Sequence, residues 1–299
     1  MRVAFLPTGR TEWHGLPGAF ERLFPGHTFE VIPSEVEVTS HGERYPLDGI
    51  TSSRLDAKHE AIPPETAILL VERASTTLMD RDPPDLLVIL DDLELENRDQ
   101  PDRVVRVFRA AVERHVTDAD ARKQRARPRL AERASFHLVA PMIEAWFFGD
   151  PNALANAGVV EKPILNPDCS VEQFTTTDIG YLAATESDCP GWQRKSQKSR
   201  RPKWFGVARM FHPKGYLQWL TQDSADRNCT RYRETEHGAA ALRAIDWDAL
   251  RGQARMNFLN ALCEDIAYKL DAPYQPPGDV VPVATSLARR PANNLLRNL

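Results

Sequence analysis

Apolar and polar positions alternate in two different ways along the first half of the chain. Short apolar runs, which are typical of buried strands, occur at residues 2–7, 27–33, 86–90 and 134–141. Apolar residues spaced by three and four, which are typical of amphipathic helices, occur at residues 16–24, 63–79 and 102–116. Strands separated by helices predict βαβ units, and therefore an α/β fold with a mostly parallel sheet.

The second half has a different pattern. No strong period is present from residue 151 to about residue 199, whereas segments from residue 213 onward are predicted to be helical. The last residues are rich in proline and asparagine and predict a tail. We therefore expect an α/β domain at 1–150, a mostly helical C-terminal portion at 151–273 packed on it, and a tail at 274–299.

Composition narrows the class of protein without naming a function. The chain has 299 residues, 42% of them hydrophobic and 27% charged, as in soluble globular proteins. Its apolar runs are shorter than a membrane span, and the apolar start is too short for a signal peptide. None of the four cysteines lies in a CxxC motif, which argues against a zinc site. A reduced, cytoplasmic protein without a membrane partner is expected.

Carboxylates follow the most apolar of the predicted strands. In "DLLVILDDLELENRD", the run 86–90 leads into Asp91, Asp92 and Glu94. Ligands of open α/β sheets bind beyond the carboxyl ends of the strands, and clustered carboxylates suit Mg²⁺ or Mn²⁺. In an extended chain Asp92 and Glu94 point to one side and Asp91 to the other. A solvated acidic loop that merely ends the strand explains the same pattern.

Several motifs resemble those of one protein group. "FLPTGRTEW" resembles the first-strand element of TOPRIM-type domains in OLD nucleases, and "LLVILDDLELENRD" resembles their acidic third-strand motif. "APMIEAWFFGD", "HPKGYLQWL" and the segment beginning "YRETEHGAAAL" are similar to elements of an uncharacterised bacterial TOPRIM-like family related to those nucleases. The resemblance spans roughly residues 1–270, and it implies a TOPRIM-like sheet.

This resemblance also implies a function, a metal site and partners. It implies a Mg²⁺-dependent nuclease that cuts DNA or RNA and works with an ATPase of the ABC/SMC-like type in antiviral defence or repair. The residues it implies as metal ligands are Glu12, Asp91, Asp92 and Glu94. The residues it implies as catalytic are Glu12, Asp92 and Glu144.

Two departures from the family pattern favour an alternative. Thr8 stands where the motif begins with Glu, and the DxD motif is replaced by Asp91-x-Leu93 or Asp92-x-Glu94. A hydroxyl brings no negative charge to a metal. The alternative is a catalytically degenerate interaction subunit of an ATPase complex, and phosphotransfer or hydrolysis on a small nucleotide is a third reading.

Glu144 and Asp150 are two further acidic candidates. Glu144 lies beside Trp146 and Phe147, where a carboxylate is either a site residue with a perturbed pKa or an acid favoured by a helix start. Asp150 precedes Pro151 and is predicted to be the N-cap of the following helix.

Basic residues predict the surface that binds nucleic acid. Tracts without an acidic residue occur at 122–129 and 194–203, the second followed by Trp204. Cations with aromatic flanks suit phosphates and bases, whereas a solvated, mobile loop is the plainer reading of each tract. The predicted nucleic-acid-binding residues are Arg194, Lys195, Lys198, Arg200, Arg201, Lys203 and Lys214.

Three histidines have plain structural readings beside any functional one. His237 is either a proton carrier or a structural residue, and the same alternatives apply to His212. His137, inside an apolar strand, is predicted to be a hydrogen-bonded core histidine. The sequence leaves open a DNA or RNA target, one or two metals, and a homo-oligomer.

Overall fold

The computed structural model describes residues 1–35, 37–39, 42–44, 47–118, 120–185, 207–222 and 232–273. The predicted tail at 274–299 lies outside these residues. So do the basic tract at 194–203 and the six predicted nucleic-acid-binding residues within it.

A parallel sheet of four strands forms the centre of the α/β fold, as the sequence predicts. Its strands are β1 (Arg2–Pro7), β2 (Thr28–Val31), β5 (Leu86–Asp92) and β6 (Ala134–Val139), in the order β2-β1-β5-β6. Val3 pairs with Leu86, and Leu87 pairs with Ala134. Parallel pairing brings the carboxyl ends of all four strands to one edge of the sheet.

The central strand β5 is buried on both faces, which explains its unbroken apolar run. Leu86, Val88 and Leu90 contribute to the core on one face of the sheet. Leu87 and Ile89 contribute to the core on the opposite face. Alternation along the strand therefore decides which face each following side chain reaches.

Five helices of the first half lie on or beside the second face. They are α2 (Ala57–Ala61), α3 (Glu65–Leu78), α4 (Glu94–Asn97), α5 (Pro101–Val116) and α6 (Ala121–Arg133). Phe108 of α5 stacks on Phe136 of β6 with ring centroids 4.1 Å apart, which joins this helix layer to the sheet.

The first face is covered by α1 (Arg10–Leu23) together with the C-terminal portion. A 3₁₀ helix (Ile143–Gly149) precedes that portion. The α-helices described in it are α7 (Pro151–Asn156), α8 (Ile179–Ala183), α9 (Pro213–Leu220), α10 (Ala239–Ala244), α11 (Trp247–Arg251) and α12 (Asn257–Leu270). Phe20 of α1 contacts Trp247 of α11, with ring centroids 5.3 Å apart. One hydrophobic core thus includes residues from both sides of position 150.

Several local predictions differ from the structure. Helix α1 begins at Arg10, six residues before the predicted start, and apolar spacing misses this start because Trp13 is the one large apolar residue among residues 10–15. The basic tract at 122–129 is part of a helix, not a loop, and Asp120 caps that helix by accepting a hydrogen bond from the Arg122 N–H. Residues 247–270, in the part of the chain predicted to be helical, form the two helices α11 and α12, with Arg255 at φ 63° between them.

A small hairpin lies between β2 and α2. Its strands β3 (Glu37–Thr39) and β4 (Gly42–Arg44) pair antiparallel. Within the residues that the structure describes, no helix is both long and apolar enough to cross a membrane.

Candidate functional site

The end of β5 sends its two aspartates to opposite faces of the sheet. Asp91 continues the alternation of Leu87 and Ile89. Asp92 continues that of Val88 and Leu90 on the other face, and it is in register with Val139 of β6. This is the division that the extended-chain argument predicts for these two residues. The two carboxylates consequently have different partners.

Asp91 has structural partners on both of its carboxylate oxygens. The Thr8 hydroxyl donates to Oδ1 at 2.6 Å, and the Ile50 N–H donates to Oδ2 at 3.0 Å. A Cβ on Gly49 would lie only 2.8 Å from Oδ1, so the loop approaches Asp91 closely because it has glycine there. Burial raises the pKa of Asp91 to about 7. Asp91 thus holds the loop after residue 47 against the sheet, and the hydrogen bond from Thr8 fixes the Asp91 carboxylate in place.

Asn97 fixes the same loop, a role that the sequence did not indicate. Its buried side chain accepts a hydrogen bond from the Leu55 N–H and donates to the carbonyls of Thr51 and Ser53. Backbone groups in a loop lack the hydrogen bonds that a helix or a strand would provide. The Asn97 amide supplies such hydrogen bonds to one N–H and two carbonyl groups of this loop. No local sequence pattern identifies such an asparagine, because its partners lie more than 40 residues away.

A second group of carboxylates gathers on the face that Asp92 reaches. We call it the acid cluster, and its members influence one another's ionisation. It consists of Glu12, Asp92, Glu94, Glu144 and Glu234 together with the ammonium group of Lys214.

Glu12 reaches the cluster from the first turn of α1. Its buried carboxylate folds back over Gly9, the residue before the helix, so closely that a Cβ on Gly9 would overlap it. The pKa of Glu12 is raised to about 8. Burial is the largest cause of this increase, and the charge of Glu144 is the second largest. A glutamate three residues after a helix cap often has only a capping role. The neighbouring carboxylates make Glu12 a member of the cluster as well.

Asp92 lies at the centre of the cluster. The Ile143 N–H donates a hydrogen bond to its Oδ1 at 3.0 Å, which orients the carboxylate toward the start of the 3₁₀ helix. Burial raises the pKa of Asp92 well above its usual range, and the charges of Glu12 and Glu144 raise it further. A proton or a nearby cation would stabilise such a carboxylate.

Glu94 adopts a backbone conformation that is uncommon for its residue type. Its φ is 55°, in the left-handed region, which costs a non-glycine residue roughly 1–2 kcal/mol. Its N–H donates to the Pro141 carbonyl at 2.8 Å, so contacts with the neighbouring loop maintain this conformation. Burial raises the pKa of Glu94.

Glu144 accepts hydrogen bonds from two hydroxyl groups and lies near the ammonium group of the cluster. Its Oε1 accepts a hydrogen bond from the Tyr232 hydroxyl at 3.1 Å and from the Thr11 hydroxyl at 3.4 Å, and it lies 3.8 Å from Lys214 Nζ. Only 2% of Glu144 is exposed, and burial raises its pKa. The structure therefore brings Glu144 together with Glu12 and Asp92, the other two predicted catalytic residues.

Lys214 enters the cluster from the first turn of α9. Its Nζ lies 2.8 Å from Glu234 Oε1. Burial lowers the pKa of Lys214, but the charges of Glu144 and Glu234 outweigh burial and raise it overall. Lys214 was predicted to contact nucleic acid; the structure places it against carboxylates, and its partner Glu234 was not predicted.

The donors of the acid cluster fit a divalent metal only in part. They are carboxylate oxygens, the ligand type that Mg²⁺ prefers, and a bound cation would favour their ionised forms against the effect of burial. Within the described part of the chain, however, no three His, Cys, Asp or Glu side chains are grouped so that they could hold a metal ion. The donor chemistry fits a hard cation, whereas the side-chain positions do not converge on one point.

The remaining predicted residues lie outside the acid cluster or support it. Asp150 caps α7, as predicted, by accepting a hydrogen bond from the Asn152 N–H at 2.8 Å.

The three histidines have structural contacts. His212 Nδ1 accepts a hydrogen bond from the Gly215 N–H at the start of α9, and burial lowers the pKa of His212 to about 3. His237 Nδ1 accepts from the Arg233 N–H. His137 is a core histidine, as predicted, whose Nε2 lies 3.3 Å from Asp265 Oδ2.

Comparisons of the chain with family models, curated proteins and solved structures found no match.

Proposed function

We propose that the acid cluster is the centre of a Mg²⁺-dependent nuclease with a TOPRIM-like sheet, related to the OLD-type enzymes. One observation supports this proposal above all. Five buried or partly buried carboxylates come from distant segments of the chain to the carboxyl edge of a parallel sheet, and among the described residues one ammonium group, that of Lys214, lies with them. Folding does not require this concentration of charge, since each buried carboxylate costs desolvation energy.

In the proposed enzyme Glu12, Asp92 and Glu94 hold the metal. Bound Mg²⁺ or Mn²⁺ would lower the pKa of a bound water and neutralise charge on the leaving oxygen. The Ile143 N–H orients Asp92, and the Pro141 carbonyl keeps the Glu94 backbone in its left-handed conformation. Asp91, also predicted to be a ligand, instead holds the loop that borders the site.

Glu144 and Lys214 have roles beside the metal in this proposal. Burial raises the pKa of Glu144, which favours the protonated carboxyl, the form that a group protonating a leaving oxygen must have. Lys214, close to Glu144, contributes positive charge where a phosphate would approach. Tyr232 and Thr11 fix the Glu144 carboxylate through their hydroxyl groups.

Partners follow from the motif resemblance alone. We propose DNA or RNA as the substrate and an ATPase of the ABC/SMC-like type as a protein partner. The basic residues between 194 and 203 remain the predicted contacts for nucleic acid.

A second function is a catalytically degenerate interaction subunit. Two observations favour it. The ammonium group of Lys214 lies 2.8 Å from Glu234 and so acts as a counter-ion within the cluster. The described carboxylates are also not grouped as a metal site. In this alternative Lys214 stabilises the fold and no metal binds. The chain would then contribute only a surface to an ATPase complex.

A cutting assay distinguishes the two functions. We expect the wild-type protein to cut plasmid or single-stranded substrates in Mg²⁺ or Mn²⁺, alone or with a candidate ATPase. The Glu12→Gln and Asp92→Asn variants should lose cutting by roughly a hundredfold or more, because each removes a negatively charged ligand without changing side-chain size.

Glu21→Gln is the matched control, since it removes an exposed carboxylate from the same helix as Glu12. Cutting that persists in both cluster variants would contradict the proposed enzyme. If the wild type does not cut with or without an ATPase, and calorimetry detects no Mn²⁺ binding, the proposed nuclease is overturned.

A further inference from the structure

Helix α6 presents a strongly basic face to solvent. Only Ala126 and Leu130 of this helix are buried. Arg122, Arg125 and Arg129 are exposed, and their spacing of three and four residues places them within about a 60° arc of the helix surface. The three guanidinium groups therefore form one row, which we call the α6 arginine row.

The arginines of this row are not neutralised by neighbouring acids. Other cations of the helix have acidic partners: Lys123 Nζ lies 2.9 Å from Asp118 Oδ2, and Arg127 lies 3.5 Å from Glu113. Among the residues described by the structure, no hydrogen bond or ion pair involves the side chains of the row. Their positive charge is thus available to a partner.

The row lies away from the acid cluster. Arg133, the last residue of α6, donates to the Pro84 carbonyl just before β5, and the next residue begins β6. Helix α6 therefore ends at the amino edge of the sheet, whereas the acid cluster lies at the carboxyl edge. A ligand on the row contacts a different surface from a substrate in the cluster.

The chemistry of the exposed face favours a phosphate backbone over a protein surface. Besides the cationic residues and Glu132, its exposed residues are Ala121, Gln124 and Pro128, so it has no aromatic or large apolar side chain. Protein interfaces usually contain such anchors, whereas backbone contacts to nucleic acid rely on arginine and lysine. Guanidinium groups also match the geometry of phosphate oxygens.

We propose that the α6 arginine row is a docking site for the phosphodiester backbone of nucleic acid. It holds the backbone at the amino edge of the sheet without reading its bases. This inference does not depend on cleavage at the acid cluster, because binding is measured in EDTA, where no divalent metal is present.

The test is fluorescence anisotropy of a labelled DNA duplex of about 20 bp, titrated with the full chain over a range of KCl concentrations. Each lost phosphate contact reduces the slope of log K against log salt by about 0.9, so Arg125→Gln/Arg129→Gln should reduce it by about 1.8. Glutamine preserves helix propensity at both positions. Lysine at both positions should restore most of the slope.

Lys58→Gln/Lys162→Gln is the charge-matched control, since it removes two exposed cations outside α6. We expect its salt dependence to equal that of the wild type, and circular dichroism to show all variants folded. Equal losses in the test and control variants would overturn the proposal. So would complete competition by polyglutamate at equal charge concentration, because it would indicate an acidic protein as the partner.

Discussion

At the residue scale, the position of one carboxylate depends on the absence of a side chain. Glu12 folds over Gly9, and a methyl group at that position would occupy the space of the Glu12 carboxylate. Thr8, the neighbouring departure from the family motif, donates its hydroxyl hydrogen bond to Asp91, not to the acid cluster. The motif comparison identified Thr8 as a departure from the family's Glu, and its hydrogen bond makes it part of the structural anchor at Asp91.

Gly9→Ala should displace Glu12 without unfolding the protein. We expect Mn²⁺ affinity, measured by calorimetry, to fall by about 10–100-fold, as it does when other supports of a metal ligand are removed. Gly18→Ala is the control in the same helix, since its Cβ would meet Arg243 at 3.4 Å, an ordinary contact. It should retain Mn²⁺ affinity and gain roughly 0.5–1 kcal/mol of stability. Equal Mn²⁺ affinity in the two variants would remove Glu12 from the site.

At the element scale, helix α12 is capped by a residue from another part of the chain. Its own cap position, Met256, offers no side-chain acceptor. Glu172 instead accepts from the N–H groups of Phe258 at 3.0 Å and Leu259 at 2.8 Å. A carboxylate at a helix N-terminus is favoured by the free N–H groups and the helix dipole. Burial nevertheless raises the pKa of Glu172 to about 7.

This raised pKa makes stability depend on pH in a defined direction. Between pH 4.5 and about 7 the folded protein retains a proton on Glu172 that the unfolded chain releases, so this residue's contribution to stability falls as pH rises through that window. The full difference is about 3 kcal/mol. In Glu172→Gln this contribution is absent. Urea unfolding at about pH 5 and about pH 8 should therefore show a smaller loss of stability in the variant than in the wild type.

Glu161→Gln is a suitable control, because Glu161 is exposed and lies in the segment that leads to Glu172. It should retain the wild-type difference between the two pH values. If Glu172→Gln also retains that difference, the Glu172 carboxyl does not titrate in the way that its burial indicates.

At the scale of the whole molecule, the acid cluster joins segments that are distant in sequence. Glu12 comes from α1, Asp92 from the central strand, and Glu144 from the 3₁₀ helix. Lys214 and Glu234 come from the C-terminal portion and form an ion pair there. The cluster consequently exists only when the C-terminal portion is packed on the sheet, so a ligand of the cluster should stabilise both portions together.

Divalent cations should therefore raise the unfolding temperature of the wild-type chain. A cation at 100 times its Kd adds about 2.7 kcal/mol to stability. That increment corresponds to a shift of several degrees in a chain of this length. We expect differential scanning fluorimetry to show this shift with Mn²⁺ for the wild type and for Glu21→Gln, but not for Asp92→Asn. An unchanged unfolding temperature in the wild type would favour the interaction subunit.

Patterns within single segments were sufficient to predict much of the fold. The unbroken apolar run of β5 indicated a strand buried on both faces, and the spacing of Val104, Phe108 and Val112 indicated α5. Alternation after Leu90 correctly separated Asp91 from Asp92. The early start of α1 was missed because residues 10–15 contain one large apolar residue, Trp13, and so show no helical period.

By itself, the sequence determined the strands, most of the helices and the carboxyl-edge position of the acids, because these depend on local periodicity and on parallel pairing. Only the tertiary structure decided which acids share an environment. It paired Lys214 with Glu234, buried Glu144 beside Tyr232, and assigned Asp91 to the loop at Ile50. Contacts between residues tens or hundreds of positions apart have no local pattern, since packing of the whole chain brings them together.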